Sequence, residues 1–103
     1  MKLWVDDERP VPDESWTLAK SFAEARELLV NTRPIERVSL DYTLSYRTSE
    51  NGGDVLAWMI ENNLLPEVLT VHSSSWSGRR LLIEIAKQAG ITATVYEQEV
   101  SET

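Results

Sequence analysis

The stretch KLWVDDERPVPDESWTLAKS, residues 2–21, decides the fold. Lys2–Val5 reads as a short buried strand, and Trp16–Ala19 as a second, weaker one. Between them Pro10 and Pro12 lack amide hydrogens and hold the chain extended, so the connection is a loop and not a helix. Ser21 and Glu24 then have the spacing of a capping box, in which hydroxyl and carboxylate satisfy orphan amides.

Outward from this stretch the pattern alternates. Phe22, Ala25, Leu28 and Leu29 recur at helical spacing and predict a helix over about 21–31. RVSLDYT is a third strand, with Val38 and Leu40 on one face. LSYRTSENGG, polar and glycine-containing, is the longest connection, and its 45–53 portion is read either as a lid or as a plain connection. Val55, Leu56, Met59 and Ile60 form the next helical stripe, with Asn51 or Asp54 near its start. EVLTVHS is the most continuous β-type run and reads as a central strand, followed by SSSWSG as a turn. Leu81, Leu82, Ile85, Ala86 and Ala89 make a last amphipathic helix, with Gly90 as its C-terminal cap. TATVYEQ closes as a strand, and residues 99–103 read as a frayed acidic tail.

Strands separated by helices pair in parallel through crossovers. The expected architecture is a three-layer α/β fold: an open, doubly wound parallel sheet of about five strands, in flavodoxin-like order. Ligands of such sheets bind outside the carboxyl ends of the strands, where strand order reverses.

Composition agrees with one domain spanning residues 1–103. Four tryptophans and three tyrosines argue against disorder, and the lack of cysteine excludes disulfides and thiolate metal sites. The formal charge of −7 opposes binding to double-stranded DNA and to anionic membranes. No apolar run is long enough to span a bilayer, and a cytoplasmic location is expected.

The strand ends carry the chemistry. Asp6, Asp7, Glu8 and Arg9 follow the first strand, Asp41 the third, and His72, Ser73, Ser74 and Ser75 the fourth. Asp6 and Asp7 alone read as ordinary turn residues; Asp41 at a matching strand end turns them into a candidate site. Carboxylates brought together repel, and oxygen-only donors with open positions suit Mg²⁺, with Asp6, Asp7 and Asp41 as its ligands. His72, the only histidine, is either a structural residue or an acid–base group. Arg79 and Arg80 begin the last helix, where positive charge opposes the macrodipole by about 0.3–1 kcal/mol. A solvated face explains them, and so does an anion seat completed by Arg9 and the serine hydroxyls. Trp4 and Trp58 read as core; Trp76 is the candidate platform for stacking a base.

These fragments resemble the response-regulator receiver fold, and more closely its cyclic-phosphate processing receiver-like branch. That branch is patterned VDDERP, SLDHDLG, GYDVL and HSSN followed by glycine; the chain reads VDDERP, SLDYTLS, GGDVL and HSSSWSG in the same order. The resemblance implies a receiver-like domain whose first helix is replaced by the proline-rich loop. It also implies a role in handling cyclic phosphates, on RNA ends or in nucleotides. By position it makes Asp6, Asp7, Arg9, Asp41, His72 and Ser73 the site. The departures are Tyr42-Thr43 for His-Asp, Ser45 for glycine and Ser75 for asparagine. Tyr96, Glu97 and Gln98 also stand where receivers keep a lysine, which argues against regulated phosphorylation of Asp41.

The expected function is a Mg²⁺-dependent phosphoesterase acting on a cyclic phosphate, with His72, Asp41 and Ser73 catalytic and Arg9, Ser74, Arg79 and Arg80 holding phosphate. The alternative is a module that binds a phosphorylated ligand or docks a protein partner without chemistry. A conventional two-component receiver ranks last.

Overall fold

The computed structural model describes residues 1–44 and 50–97. The elements run β1 (Lys2–Val5), β2 (Trp16–Ala19), α1 (Phe22–Asn31), β3 (Arg37–Leu40), α2 (Gly52–Glu61), β4 (Val68–Val71), α3 (Trp76–Gln88) and β5 (Ala93–Val95). All five strands are parallel, in the order β2-β1-β3-β4-β5. Strand order therefore reverses at β1 and β3, and the crevice lies beyond Val5 and Leu40.

Each helix starts where a side chain accepts an otherwise orphaned amide. Ser21 Oγ accepts from Glu24 N at 3.1 Å, while the Glu24 carboxylate accepts from Lys20 N at 2.6 Å, one residue earlier than a reciprocal box requires. Asn51 and Asp54 do form the reciprocal box, at 2.8 and 3.1 Å. Ser75 Oγ accepts from Gly78 N, so α3 begins at Trp76, and only residues 73–75 of the expected SSSWSG turn lie outside the helix. At its far end Gly90, at φ 77°, closes the helix while Ile91 N donates to Ala86 O at 2.9 Å.

Register shows what each face of the sheet does. Leu3 pairs with Val38 and Val38 with Leu69; Val5, Leu40 and Val71 line up likewise. These residues form one core with Ala25 and Leu29 of α1, Val55, Leu56 and Met59 of α2, and Leu82 and Ala86 of α3. Leu81, expected inside, is exposed, because it lies about 100° around the helix from Leu82. Trp58 is partly buried against this core and meets Phe22 edge-on.

The opposite face carries Trp4, Ser39 and Thr70 in one row and Lys2, Trp16 and Arg37 in the next. Trp4 and Trp16 are both buried, yet neither belongs to the core under the helices. The layer on this side includes the 6–15 loop in place of a helix. Two aspartates pin that loop. Asp6 Oδ1 accepts from Glu8 N and Arg9 N, and Asp13 accepts from Ser15 N and the Ser15 hydroxyl. Of the 45–53 connection, residues 45–49 lie outside the described residues, as does the expected 99–103 tail. No helix among the described residues is long and apolar enough to cross a membrane.

Candidate functional site

The crevice begins with Asp6. The residue is fully buried, and each oxygen of its carboxylate is engaged: Oδ1 with the two loop amides and Oδ2 with His72 Nε2 at 3.0 Å. Asp7 and Asp41 are half-buried beside it. One carboxylate oxygen from each of Asp6, Asp7 and Asp41 lies within 4.8 Å of the others. Burial, followed by the negative charge of Asp6, raises the Asp41 carboxyl above the usual range; hydrogen bonding from Ser73, Tyr42 and Thr43 acts the other way.

His72 is held from three sides. Its Nδ1 meets Ser39 Oγ at 2.8 Å, and Ser39 Oγ accepts from Thr70 Oγ1 at 2.8 Å. Because an ionised carboxylate only accepts, Nε2 carries the proton toward Asp6, and Nδ1 accepts from Ser39. The hydroxyl of Thr70, that of Ser39, the imidazole and the Asp6 carboxylate thus form one directed chain. The imidazole also stacks on the Trp4 indole, with centroids 3.6 Å apart and planes 10° from parallel. Burial pushes His72 below the ordinary histidine range, to about 4, and outweighs the charge and hydrogen bond of Asp6; Arg9 adds to the lowering. The resting imidazole is neutral, with both nitrogens occupied.

A cavity of about 420 Å³ lies on the Trp4 side of His72. Arg9 and Arg79 supply positive charge to its wall, Ser73 and Ser74 supply hydroxyls, and Trp4 and Tyr96 supply aromatic surface. Arg9 is held in place by a 3.0 Å bond from Nη1 to the His72 carbonyl oxygen. None of the three clustered carboxylates lines this cavity; His72 joins the two halves, bonded to Asp6 and lining the cavity.

Of the residues expected at the site, Asp6, Asp7 and Asp41 form the acidic half. Arg9, Ser73, Ser74 and Arg79 form the cavity wall, and His72 lies between their roles. Arg80 is directed elsewhere. One residue on from Arg79 along α3, its guanidinium lies 4.9 Å from the Trp76 ring, in a surface groove with Leu81 and Glu84. Trp76, the expected stacking platform, is 64% exposed in that groove and does not line the cavity. Tyr42, standing where the resemblance expects histidine, packs on α3: a Cβ added to Gly78 would lie 2.7 Å from the Tyr42 Cβ. Gly52 is closer still to the acidic half, since a Cβ there would lie 2.0 Å from the Asp41 carbonyl oxygen.

Sequence reasoning missed Trp4, Tyr96, Ser39 and Thr70. Trp4 is buried as its place in the strand predicts, but it lies on the same face as Asp6, two residues on, and also lines the cavity. Its indole Nε1 is a buried donor with no hydrogen-bond partner among the described residues. Leaving such a group unpaired costs roughly 1–3 kcal/mol. Trp16 and Tyr96 meet the Trp4 ring edge-on at 5.5 and 5.1 Å.

No curated protein and no solved structure matches the chain. The family model of the cyclic-phosphate processing receiver domain matches residues 1–88, and with this sheet order and site the chain belongs to that family.

Proposed function

We propose that the domain is a metal-assisted phosphoesterase that opens a cyclic phosphate, on an RNA end or in a nucleotide. The carrying observation is the junction at His72 between a three-carboxylate cluster and a cavity walled by Arg9, Arg79, Ser73 and Ser74. Membership of the family supports a role connected with cyclic phosphates.

The donor set fits Mg²⁺. It is all oxygen, burial and then the charge of neighbouring Asp6 raise Asp41, and it has no softer ligand in the cluster. When bound, that ion supplies charge neutralisation and polarisation at a phosphoryl oxygen. The residues do the rest. Arg9 and Arg79 draw the anion in and oppose the charge that grows as the ester bond breaks. Ser74 orients a non-bridging oxygen as a hydroxyl donor, while the Ser73 hydroxyl donates to Asp41. Opening the ring consumes one water: its oxygen bonds to phosphorus, one ring P–O bond breaks, and a proton passes to the departing alkoxide oxygen. That proton comes from the attacking water, and Asp41 would serve as a ligand of the ion beside Asp6 and Asp7. His72 and Ser39 hold the Asp6 carboxylate in a single orientation.

A second reading is binding without turnover, of a phosphorylated ligand or a protein partner. It is favoured by the occupation of both His72 nitrogens, which removes the obvious acid–base group from the cavity, and by Tyr42-Thr43 in place of His-Asp. The test is a panel of 2′,3′- and 3′,5′-cyclic phosphates with Mg²⁺ or with EDTA. Turnover that needs Mg²⁺ and is lost in Asp41→Asn is expected. Absence of turnover on every member, with retained binding by calorimetry, would leave the second reading in its place.

A further inference from the structure

The outer face of α3 serves neither the core nor the cavity. Gly78, Leu82 and Ala86, four residues apart, are the buried stripe of this helix. On the far side Trp76, Ser77, Arg80, Leu81 and Glu84 line a groove of about 410 Å³. Trp76 and Leu81, at 64% and 48% exposure, give that groove its apolar surface. The charges beside them are without a partner. Arg80 and Glu84 lie one turn apart on the same face, yet among the described residues neither forms an ion pair. An arginine that precedes a glutamate by four residues is the less favourable order for pairing within one helix. The Arg80 guanidinium lies 4.9 Å from the Trp76 ring instead, a contact that leaves its N–H donors available.

We propose that α3 packs antiparallel against α3 of a second copy of this chain, with Arg80 of each copy paired to Glu84 of the other. A two-fold axis at the level of Leu82 sets position 80 opposite 84 and position 76 opposite 88. An axis at the level of Arg80 or of Glu84 would set like charges against each other, and so would a parallel pair. The charge pattern therefore selects both direction and register. Trp76 then covers Lys87 and Gln88 of the second copy, both exposed in the single chain, and the two helix dipoles oppose. The same patch meets itself, so the contact closes at two copies and does not propagate. Each chain carries a formal charge of −7, but physiological salt screens exposed charges beyond about 8 Å, and the charges at the contact are of both signs. One helix from each copy makes a small interface, so a dimer that dissociates readily is expected. Arg79 faces the cavity from another side of the helix, so the pairing neither blocks the cavity nor depends on what it binds.

The experiment is sedimentation of the intact protein from about 10 μM to about 1 mM, the range suited to a small interface. The mean mass should rise toward that of a dimer. Arg80→Glu alone and Glu84→Arg alone place like charges opposite each other, and each should weaken self-association at least tenfold. Mixing these two variants should restore it as a heterodimer, because one copy then offers two carboxylates and the other two guanidinium groups. Both changes in one chain should restore the homodimer. All four side chains altered or created stand on an exposed face, and the mixing experiment reads complementarity between the variants and not the fold of either. A protein that stays monomeric throughout, a dimer indifferent to both reversals, or variants that fail to associate when mixed would overturn the proposal.

Discussion

Asp41→Asn should make the metal-free protein more stable. Oxygens of Asp41 and Asp6 lie within 4.8 Å. Two unit charges at that separation repel by about 3.5 kcal/mol at an effective dielectric constant of about 20, and by about 0.9 kcal/mol at that of water. Asp6 is fully buried and Asp41 half-buried, so the repulsion falls between these limits. Asparagine keeps an acceptor oxygen for Ser73 and the Tyr42 and Thr43 amides, and the weakening of those bonds offsets roughly 1 kcal/mol of the gain. A net stabilisation of about 1 kcal/mol is expected in EDTA near pH 8, where Asp41 is ionised. The sign with pH follows from the raised carboxyl: repulsion is present above its folded-state range and disappears as protonation proceeds on acidification. The advantage of Asp41→Asn should therefore fade as pH falls. Urea unfolding followed by tryptophan fluorescence, with EDTA and with Mg²⁺, is the assay; Mg²⁺ should stabilise the unaltered protein more than the variant. A variant equal to or less stable than the parent in EDTA near pH 8 would refute the argument from crowding.

Three further outcomes follow from the same geometry. Ser39→Ala removes the donor to His72 Nδ1 and the acceptor for Thr70, and should cost about 1–3 kcal/mol in urea unfolding; a loss below about 0.5 kcal/mol would mean that the hydroxyl chain does not hold His72. In the Asp41→Asn background, stability should fall as pH drops from about 6.5 to about 4, because the unfolded chain takes up a proton that buried His72 excludes. That lowering corresponds to about 3 kcal/mol, and an imidazole resonance titrating near 6.5 in the folded protein would contradict it. Gly52→Ala puts a Cβ 2.0 Å from the Asp41 carbonyl oxygen, a backbone atom, so something must shift, at a cost of roughly 1–3 kcal/mol or more; an unchanged melting temperature would show that α2 moves away freely.

The acidic half and the cavity differ in how they connect to the rest of the fold. Asp6 and Arg9 come from the loop that replaces a helix, and Asp6 itself pins the start of that loop. Loop conformation and site geometry are therefore a single property here. A substitution at Asp6 would disturb both, which is why Asp41 and Ser39 are the more informative positions to alter.

Much of the architecture was legible in one dimension. Pro10 and Pro12 exclude a helix for a local steric reason, helical and strand periods separate the elements, and their alternation leaves a parallel sheet. Acidic and hydroxyl residues just after strands then fall at one edge whatever the side chains do. What sequence could not disclose is who meets whom across strands. β1 is buried on both faces, Leu3, Trp4 and Val5 alike, so no alternation of apolar and polar residues marks Trp4 as lying on the cavity side. Ser39 and Thr70 look like ordinary strand hydroxyls until register stacks them in one row leading to His72. Arg79 and Arg80 are equivalent as letters, and only the rotation of α3 turns one to the cavity and the other to Trp76. Local sterics and periodicity set the elements and the edge; register and helix rotation, which depend on packing of the whole, decided the partners of each side chain.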